Sequence, residues 1–184
     1  NDKNTILMFN GEIYNHKLLR TELERQNINF KSSHSDSEVV LNGISYFGID
    51  FIDKLIGQFS ISFIDLNRNL LYLARDRVGQ KPLYYTKDNE SFYFGSNLKS
   101  IKKLSGKNTL DQHSLSKFLN YGVVPSPNTI FEGIFKSKPG EIIKVDLNNP
   151  SFLENKKIYW DPSNFVSEDR FDNEEFLEII ENSI

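Results

Sequence analysis

Gly57-Gln58-Phe59-Ser60-Ile61-Ser62-Phe63-Ile64-Asp65 is the stretch on which the fold turns. Phe59, Ile61 and Phe63 alternate with Gln58, Ser60 and Ser62, the period of a half-buried strand. Leu66–Asn69 reads as a turn, and Leu70–Ala74 as the strand returning from it. Downstream, Pro82–Thr86 and Phe92–Gly95 flank another turn at Lys87–Ser91. Connections this short favour antiparallel neighbours, because parallel ones need long crossovers.

Upstream, Ile6–Phe9 is a short apolar run suited to a buried strand, and Asn10-Gly11 ends it. Between Tyr14 and Asn27 the pattern turns helical, with Leu18, Leu19 and Leu23 on one face. Ser35-Asp36-Ser37-Glu38 reads as a capping box opening a second helix, with Val39, Val40 and Ile44 inward and Gly48 closing it. A short helix near Gln112–Asn120 and a strand at Glu141–Val145 follow. After Tyr159-Trp160-Asp161-Pro162 the composition turns acidic, and an amphipathic helix starts at Asn173, with Phe176, Ile179 and Ile180 on one side. Antiparallel hairpins with two early helices make an α+β domain.

Composition narrows the function. The 184 residues are 38% apolar and 26% charged, as in a globular chain. With 22 Lys and Arg against 25 Asp and Glu, the net charge of −3 argues against a nucleic-acid binder. No apolar run approaches a membrane span and no secretory signal is evident, so no membrane partner and a cytoplasmic location are expected. The cysteine count is zero, which excludes disulfides, thiolate metal sites and a cysteine nucleophile within these residues. His16, His34 and His113 lack metal-ligand spacing, and no phosphate-binding glycine loop is present.

Two stretches carry candidate chemistry. Asn10-Gly11-Glu12-Ile13-Tyr14-Asn15 has two readings. Asn-Gly is a common tight turn, because both residues tolerate positive φ. An Asn amide and a neighbouring Gly N–H can also donate to one oxygen, as in an oxyanion hole, with Glu12 placed to bind a ligand ammonium or amide. Asp36 is favoured by the helix dipole at a first turn, and it could equally pair with an α-amino group. The second stretch, Arg75-Asp76-Arg77-Val78-Gly79-Gln80-Lys81-Pro82-Leu83-Tyr84-Tyr85, reads first as a solvated charged loop before a strand. Alternatively, Arg75 and Asp76 form a partly buried pair that fixes the loop against a neighbouring domain.

Taken together, NGEIYN (Asn10–Asn15), SDSEV (Ser35–Val39), GQFSISFID (Gly57–Asp65), ARDRVGQKPLYY (Ala74–Tyr85), FGSNLKSI (Phe94–Ile101) and the stretch Phe118–Glu141 resemble the glutaminase half of glutamine-hydrolysing asparagine synthetases. The segments fall in family order over about nine tenths of the chain. The resemblance implies a class II glutamine amidotransferase domain of the N-terminal-nucleophile hydrolase type. Its fold is a four-layer αββα sandwich of two antiparallel sheets. It also implies a mechanism, in which an N-terminal cysteine attacks the side-chain amide of L-glutamine and ammonia leaves. The ammonia crosses a tunnel to a second domain, where ATP, with Mg2+, activates aspartate for amidation. No cofactor is implied for the glutaminase domain itself.

By position, Asn10 and Gly11 match the oxyanion pair, and Glu12 matches a substrate-binding position. Asp36 matches the carboxylate that holds the α-amino group of glutamine. Residues 1–165 correspond to the glutaminase domain, lacking its N-terminal segment, and residues 166–184 to the start of the synthetase domain. The expectation is therefore an internal piece of a longer enzyme, inactive alone for want of its sulfur, with a homodimer open for the full-length protein. Two departures stand out. Gln58 replaces a family Met associated with the tunnel, and Asn97 replaces a Glu whose loss is expected to weaken contact with the second domain. They leave room for an enzyme amidating another carboxylate, such as a surface-polysaccharide sugar acid. A non-catalytic glutamine-binding module also stays open, as does a glutaminase serving a sugar-phosphate or phosphoribosyl partner domain.

Overall fold

The computed structural model describes residues 4–149, 153–165, 177, 178 and 181. Strand β1 (Thr5–Ile13) leads into helices α1 (His16–Arg25) and α2 (Asp36–Phe47) and a 3-10 turn at Ile49–Lys54. Strands β2 (Gly57–Asp65), β3 (Leu70–Arg75), β4 (Tyr84–Lys87) and β5 (Phe92–Gly95) follow, then helices α3 (Leu98–Ser105) and α4 (Gln112–Tyr121). Strands β6 (Phe135–Lys136), β7 (Glu141–Asp146) and β8 (Leu153–Ile158) come last. Every strand pairing is antiparallel, in a five-stranded sheet of order β1-β2-β3-β7-β8 and a three-stranded sheet of order β5-β4-β6.

Strand alternation builds two cores. Phe59, Ile61 and Phe63 of β2 pack with Leu19 and Leu23 of α1 and Val39, Val40 and Ile44 of α2. The opposite face of the large sheet, through Leu71 and Leu73 of β3 and Ile143 and Val145 of β7, packs on Leu83, Tyr85, Phe92 and Phe94 of the small sheet region. Helix α3 packs against β4 and β5. The layers run helices, sheet, sheet, helices, which is the αββα sandwich expected from the resemblance.

Burial on both faces of the large sheet corrects the half-buried reading of β2. Ser60 and Ser62 are only 4% and 6% exposed, because the small sheet covers the side they project from. On α1, Leu18 faces solvent, and Arg20, only 8% exposed, takes an inward position instead. Helix α3 escapes the hydrophobic pattern because it buries only Ile101. Its N-cap is Asn97, whose side chain accepts the Ser100 N–H at 3.2 Å. The Asn that replaces a family Glu thus has a structural use of its own. Strand β8 reads Leu153-Glu154-Asn155-Lys156-Lys157-Ile158, a charged edge strand without apolar alternation. The helix expected from Asn173, like the second-domain start at 166–184, falls almost wholly outside the described residues.

Candidate functional site

The Asn10-Gly11 dipeptide is not a turn. Strand β1 runs through it to Ile13, with Asn10 opposite Ser60, Gly11 opposite Phe59, Glu12 opposite Gln58 and Ile13 opposite Gly57. Beyond the strand's end at Ile13 the contact with the facing segment passes to Asn15. There the Asn15 amide donates to Lys54 O at 2.9 Å and its Oδ1 accepts the Ile56 N–H at 3.0 Å. Asn15 therefore takes over pairing that the backbone would otherwise continue.

The direction of the backbone groups follows from parity. Phe59 uses its N–H and C=O on Asp76: Phe59 N donates to Asp76 Oδ2 at 3.2 Å, and Asp76 N donates to Phe59 O at 2.9 Å. Both groups of Phe59 thus point away from β1, and Gly11–Phe59 is the narrow, non-hydrogen-bonded kind of pair. Gly11 must then aim its own N–H and C=O outward. Strand β1 is the outer strand of its sheet, so this is an open edge among the described residues. Ile13 has the same parity, and its outward N–H donates to Asp36 Oδ2 at 3.1 Å. The Asp36 carboxylate accordingly stands on the edge that Gly11 faces, two residues along, or roughly 7 Å of strand.

Asn10 and Glu12 project from the other face of β1. Asn10 lines a cavity of about 150 Å3 between the sheets, with Met8, Ser60, Ser62 and Ser96 among its walls. Ser60 Oγ and Ser96 Oγ, 3.2 Å apart, link the two sheets there. A larger cleft of about 590 Å3, lined by Thr5, Ser45, Asp65 and Tyr72 among others, sits at the opposite end of β1 and holds none of the predicted residues. The structure thus brings together Asn10, Gly11, Glu12 and Asp36, although 21 to 26 positions separate Asp36 from the Asn10–Asn15 segment in sequence. An N–H, an amide and two carboxylates at one strand end suit a ligand with an amide at one end and an ammonium at the other.

The sequence pattern did not reveal what holds Asp36 in place. The Asp36 side chain also accepts the Ser37 N–H through Oδ1, at 2.6 Å. The expected capping box is half formed: Ser35 Oγ accepts the Glu38 N–H at 3.2 Å, but Ser35 N donates to Ser32 Oγ. The Glu38 carboxylate turns instead to the preceding loop, accepting Lys31 N at 2.6 Å, Ser32 N at 2.9 Å and Ser32 Oγ at 2.6 Å. Burial acts to raise the Glu38 pKa. The Lys31 N–H, the two Ser32 donors and the positive charge of Arg20 together outweigh it, leaving the carboxyl below its ordinary value. A lowered carboxyl stabilises the fold above the ordinary glutamate pKa and loses that contribution as pH falls through the lowered value. Urea titrations of wild type and Glu38→Gln are therefore expected to differ at pH 7 and to converge under acid. A gap unchanged by acid would contradict this.

The charged stretch at the end of β3 is solvated only in part: Val78 and Gln80 are exposed, but its first two residues are not. Arg75 and Asp76 are 7% and 0% exposed. Arg75 donates to the carbonyls of Lys81, Gly79 and Ser137. Burial lowers its pKa, against the raising effect of Asp76 beside it. The two residues fix the loop to their own domain, through Ser137 O and the N–H groups of Gln80 and Lys81. No helix among the described residues is long and apolar enough to cross a membrane.

Comparison with known proteins places the chain in a family. Residues 1–160 match the family model described as a glutamine amidotransferase domain. Asparagine synthetase [glutamine-hydrolyzing] 3 of Bacillus subtilis is 35% identical over 169 residues, which cover 91% of this chain and 27% of that protein. Asparagine synthetase [glutamine-hydrolyzing] 1 of the same organism is 37% identical over 139 residues, covering 76% of this chain and 22% of that protein. The putative asparagine synthetase [glutamine-hydrolyzing] 2 of Methanocaldococcus jannaschii is 30% identical over 85% of this chain and 30% of its own length. The chain thus spans under a third of the length of these relatives. Among solved structures, glutamine phosphoribosylpyrophosphate amidotransferase of B. subtilis superposes with a TM-score of 0.58 at 17% identity, over 84% of this chain and 29% of that one, a likeness of fold. Fold and sequence similarity converge: the chain belongs to the glutamine amidotransferase domain family, in the company of the glutamine-hydrolysing asparagine synthetases.

Proposed function

We propose that this domain binds L-glutamine at the outer edge of β1 and supplies the oxyanion donors for hydrolysis of its side-chain amide. The observation that carries the reading is the outward Gly11 N–H, beside Asn10 and on the same edge as Asp36. Asp36 receives the α-ammonium, Glu12 adds a second acceptor, and the Asn10 amide and Gly11 N–H receive the amide oxygen. When a thiolate adds to the amide carbon, the carbonyl electrons move onto that oxygen, and two preorganised donors stabilise the charge. The C–N bond then breaks, the nitrogen leaves protonated as ammonia, and water hydrolyses the thioester to glutamate. No cysteine occurs among the 184 residues, so the sulfur comes from outside them and residues 1–184 alone give no turnover.

On this reading residues 1–165 are the glutaminase domain and residues 166–184 begin a synthetase domain. That domain uses ATP and Mg2+ to amidate aspartate with the released ammonia. Its support is the naming of the relatives and their greater length. Gln58 and Ser60, polar where the family pattern has Met and Ala, favour as second reading an acceptor carboxylate other than aspartate.

Asn10→Ala in the complete encoded polypeptide tests the site. Loss of one oxyanion donor is expected to lower kcat for glutamate release about 100- to 1000-fold, with little change in KM. A variant keeping more than about a tenth of wild-type turnover would remove Asn10 from the oxyanion site.

A further inference from the structure

We infer that Arg20 and Glu38 are positioning residues for the α-ammonium subsite, acting through the loop 31–35 that delivers Asp36 to β1. This rests on the glutamine reading of Asp36. Arg20 lies on α1, yet it is only 8% exposed. Its guanidinium forks onto two carbonyls of the loop: Nη1 donates to Ser32 O at 2.7 Å and Nη2 to Ser35 O at 3.0 Å. Ser35 is both the residue before Asp36 and the N-cap of α2. The cation also sits 4.1 Å from the centre of the Phe30 ring, which fixes its plane from the other side. From α2, the Glu38 carboxylate gathers three donors at Lys31 and Ser32. The loop is therefore held by its carbonyls from one helix and by its N–H groups from the next.

A buried guanidinium is costly to desolvate, and an apolar residue would pack against Phe30 as well. What an apolar residue cannot do is set the height of Ser35 O, and with it the first turn from which Asp36 reaches Ile13 N. Asp36 has little freedom of its own. One oxygen is taken by the Ser37 N–H and the other by Ile13. A shift of the loop by an ångström would break the 3.1 Å bond to Ile13 and turn the carboxylate off the edge. The clamp accordingly governs recognition of the ligand ammonium and leaves the oxyanion end alone. That division distinguishes positioning from general stabilisation.

The test uses two ligands that are not hydrolysed, L-glutamate and glutarate, identical except for the α-substituent. Binding is measured on the complete polypeptide as wild type, Arg20→Met, Arg20→Lys, Glu38→Gln and Asp36→Asn. Wild type should prefer L-glutamate. Arg20→Met and Glu38→Gln should weaken L-glutamate about tenfold and leave glutarate unchanged, approaching Asp36→Asn. Arg20→Lys, which reaches one carbonyl instead of two, should fall between. A preference retained in both Arg20→Met and Glu38→Gln overturns the inference, and so does equal weakening of both ligands, which marks a purely structural role. If wild type itself shows no preference, the assignment of Asp36 has failed, and that outcome is separate from failure of the clamp.

Discussion

Asp76→Ala is expected to lower the free energy of unfolding by about 3–5 kcal/mol, a large part of what a domain of this size has. The Asp76 carboxylate is fully buried and accepts three backbone N–H groups from two separate segments. They are Gln80 at 2.9 Å on Oδ1, and Lys81 at 2.9 Å and Phe59 at 3.2 Å on Oδ2. Its backbone adds bonds from Asp76 N to Phe59 O and from Gly140 N to Asp76 O. Alanine keeps the backbone bonds and strands three donors away from water. Each unsatisfied donor costs roughly 1–3 kcal/mol, partly relieved by entering water. Arg75, next in sequence and buried, also loses a nearby negative charge. Asp76→Asn should fall between, because one oxygen remains while the NH2 group faces donors. Urea unfolding followed by circular dichroism measures both variants. A loss below about 1 kcal/mol for Asp76→Ala would show that water reaches the freed N–H groups and that the loop's conformation is not held by this side chain.

Asp76 also shows where the sequence was legible and where it was not. The alternation at Phe59, Ile61 and Phe63, the short turns and the inward Val39, Val40 and Ile44 are local patterns, and they led to the right class, while the four layers followed from the family resemblance. The status of Ser60, Leu18 and Arg75 depends on what lies over them. A small sheet, an α1 register and a guanidinium buried against Ser137 O are tertiary facts with no local period. The functional motif divides the same way. Residue types and family order pointed to Asn10, Gly11, Glu12 and Asp36. Composition could not tell a hairpin Asn-Gly from a strand Asn-Gly, because that depends on which partner strand lies opposite. Strand β2 decided it, and Asp76 holds the residue of β2 that faces Gly11. Arg20 and Glu38 carry no signal in any pattern: one looked like the polar side of an amphipathic helix and the other like half of a capping box.

Gly11→Ala should be the most damaging single methyl group in the domain. A Cβ at this position would collide with Gln58 O and lie 2.7 Å from Phe59 Cα, both backbone atoms of a buried strand that cannot swing aside. The φ of +156° adds strain that no rotamer relieves. The narrow Gly11–Phe59 pair is what leaves so little room. Two outcomes are open to the chain, and both are measurable. Either β2 gives way, costing about 3 kcal/mol or more of global stability, or the end of β1 peels from β2. In the second case hydrogen exchange at Glu12, whose N–H has the parity that points toward Gln58, accelerates far more than exchange in β3. Gly106→Ala is the control for backbone conformation, because Gly106, the left-handed C-cap of α3, also has positive φ, +68°, but no atom lies within 4 Å of a Cβ there. Its cost should stay near 1 kcal/mol, so the difference between the two variants isolates the clash. Gly11→Ala should also abolish glutamine turnover by the complete polypeptide, because moving β1 displaces the Gly11 N–H, Asn10 and the Ile13 N–H that anchors Asp36 together. Asn10→Ala, by contrast, should lose turnover with stability nearly intact. If Gly11→Ala costs no more than Gly106→Ala and still turns over glutamine, the strand-edge geometry assigned to this site is wrong.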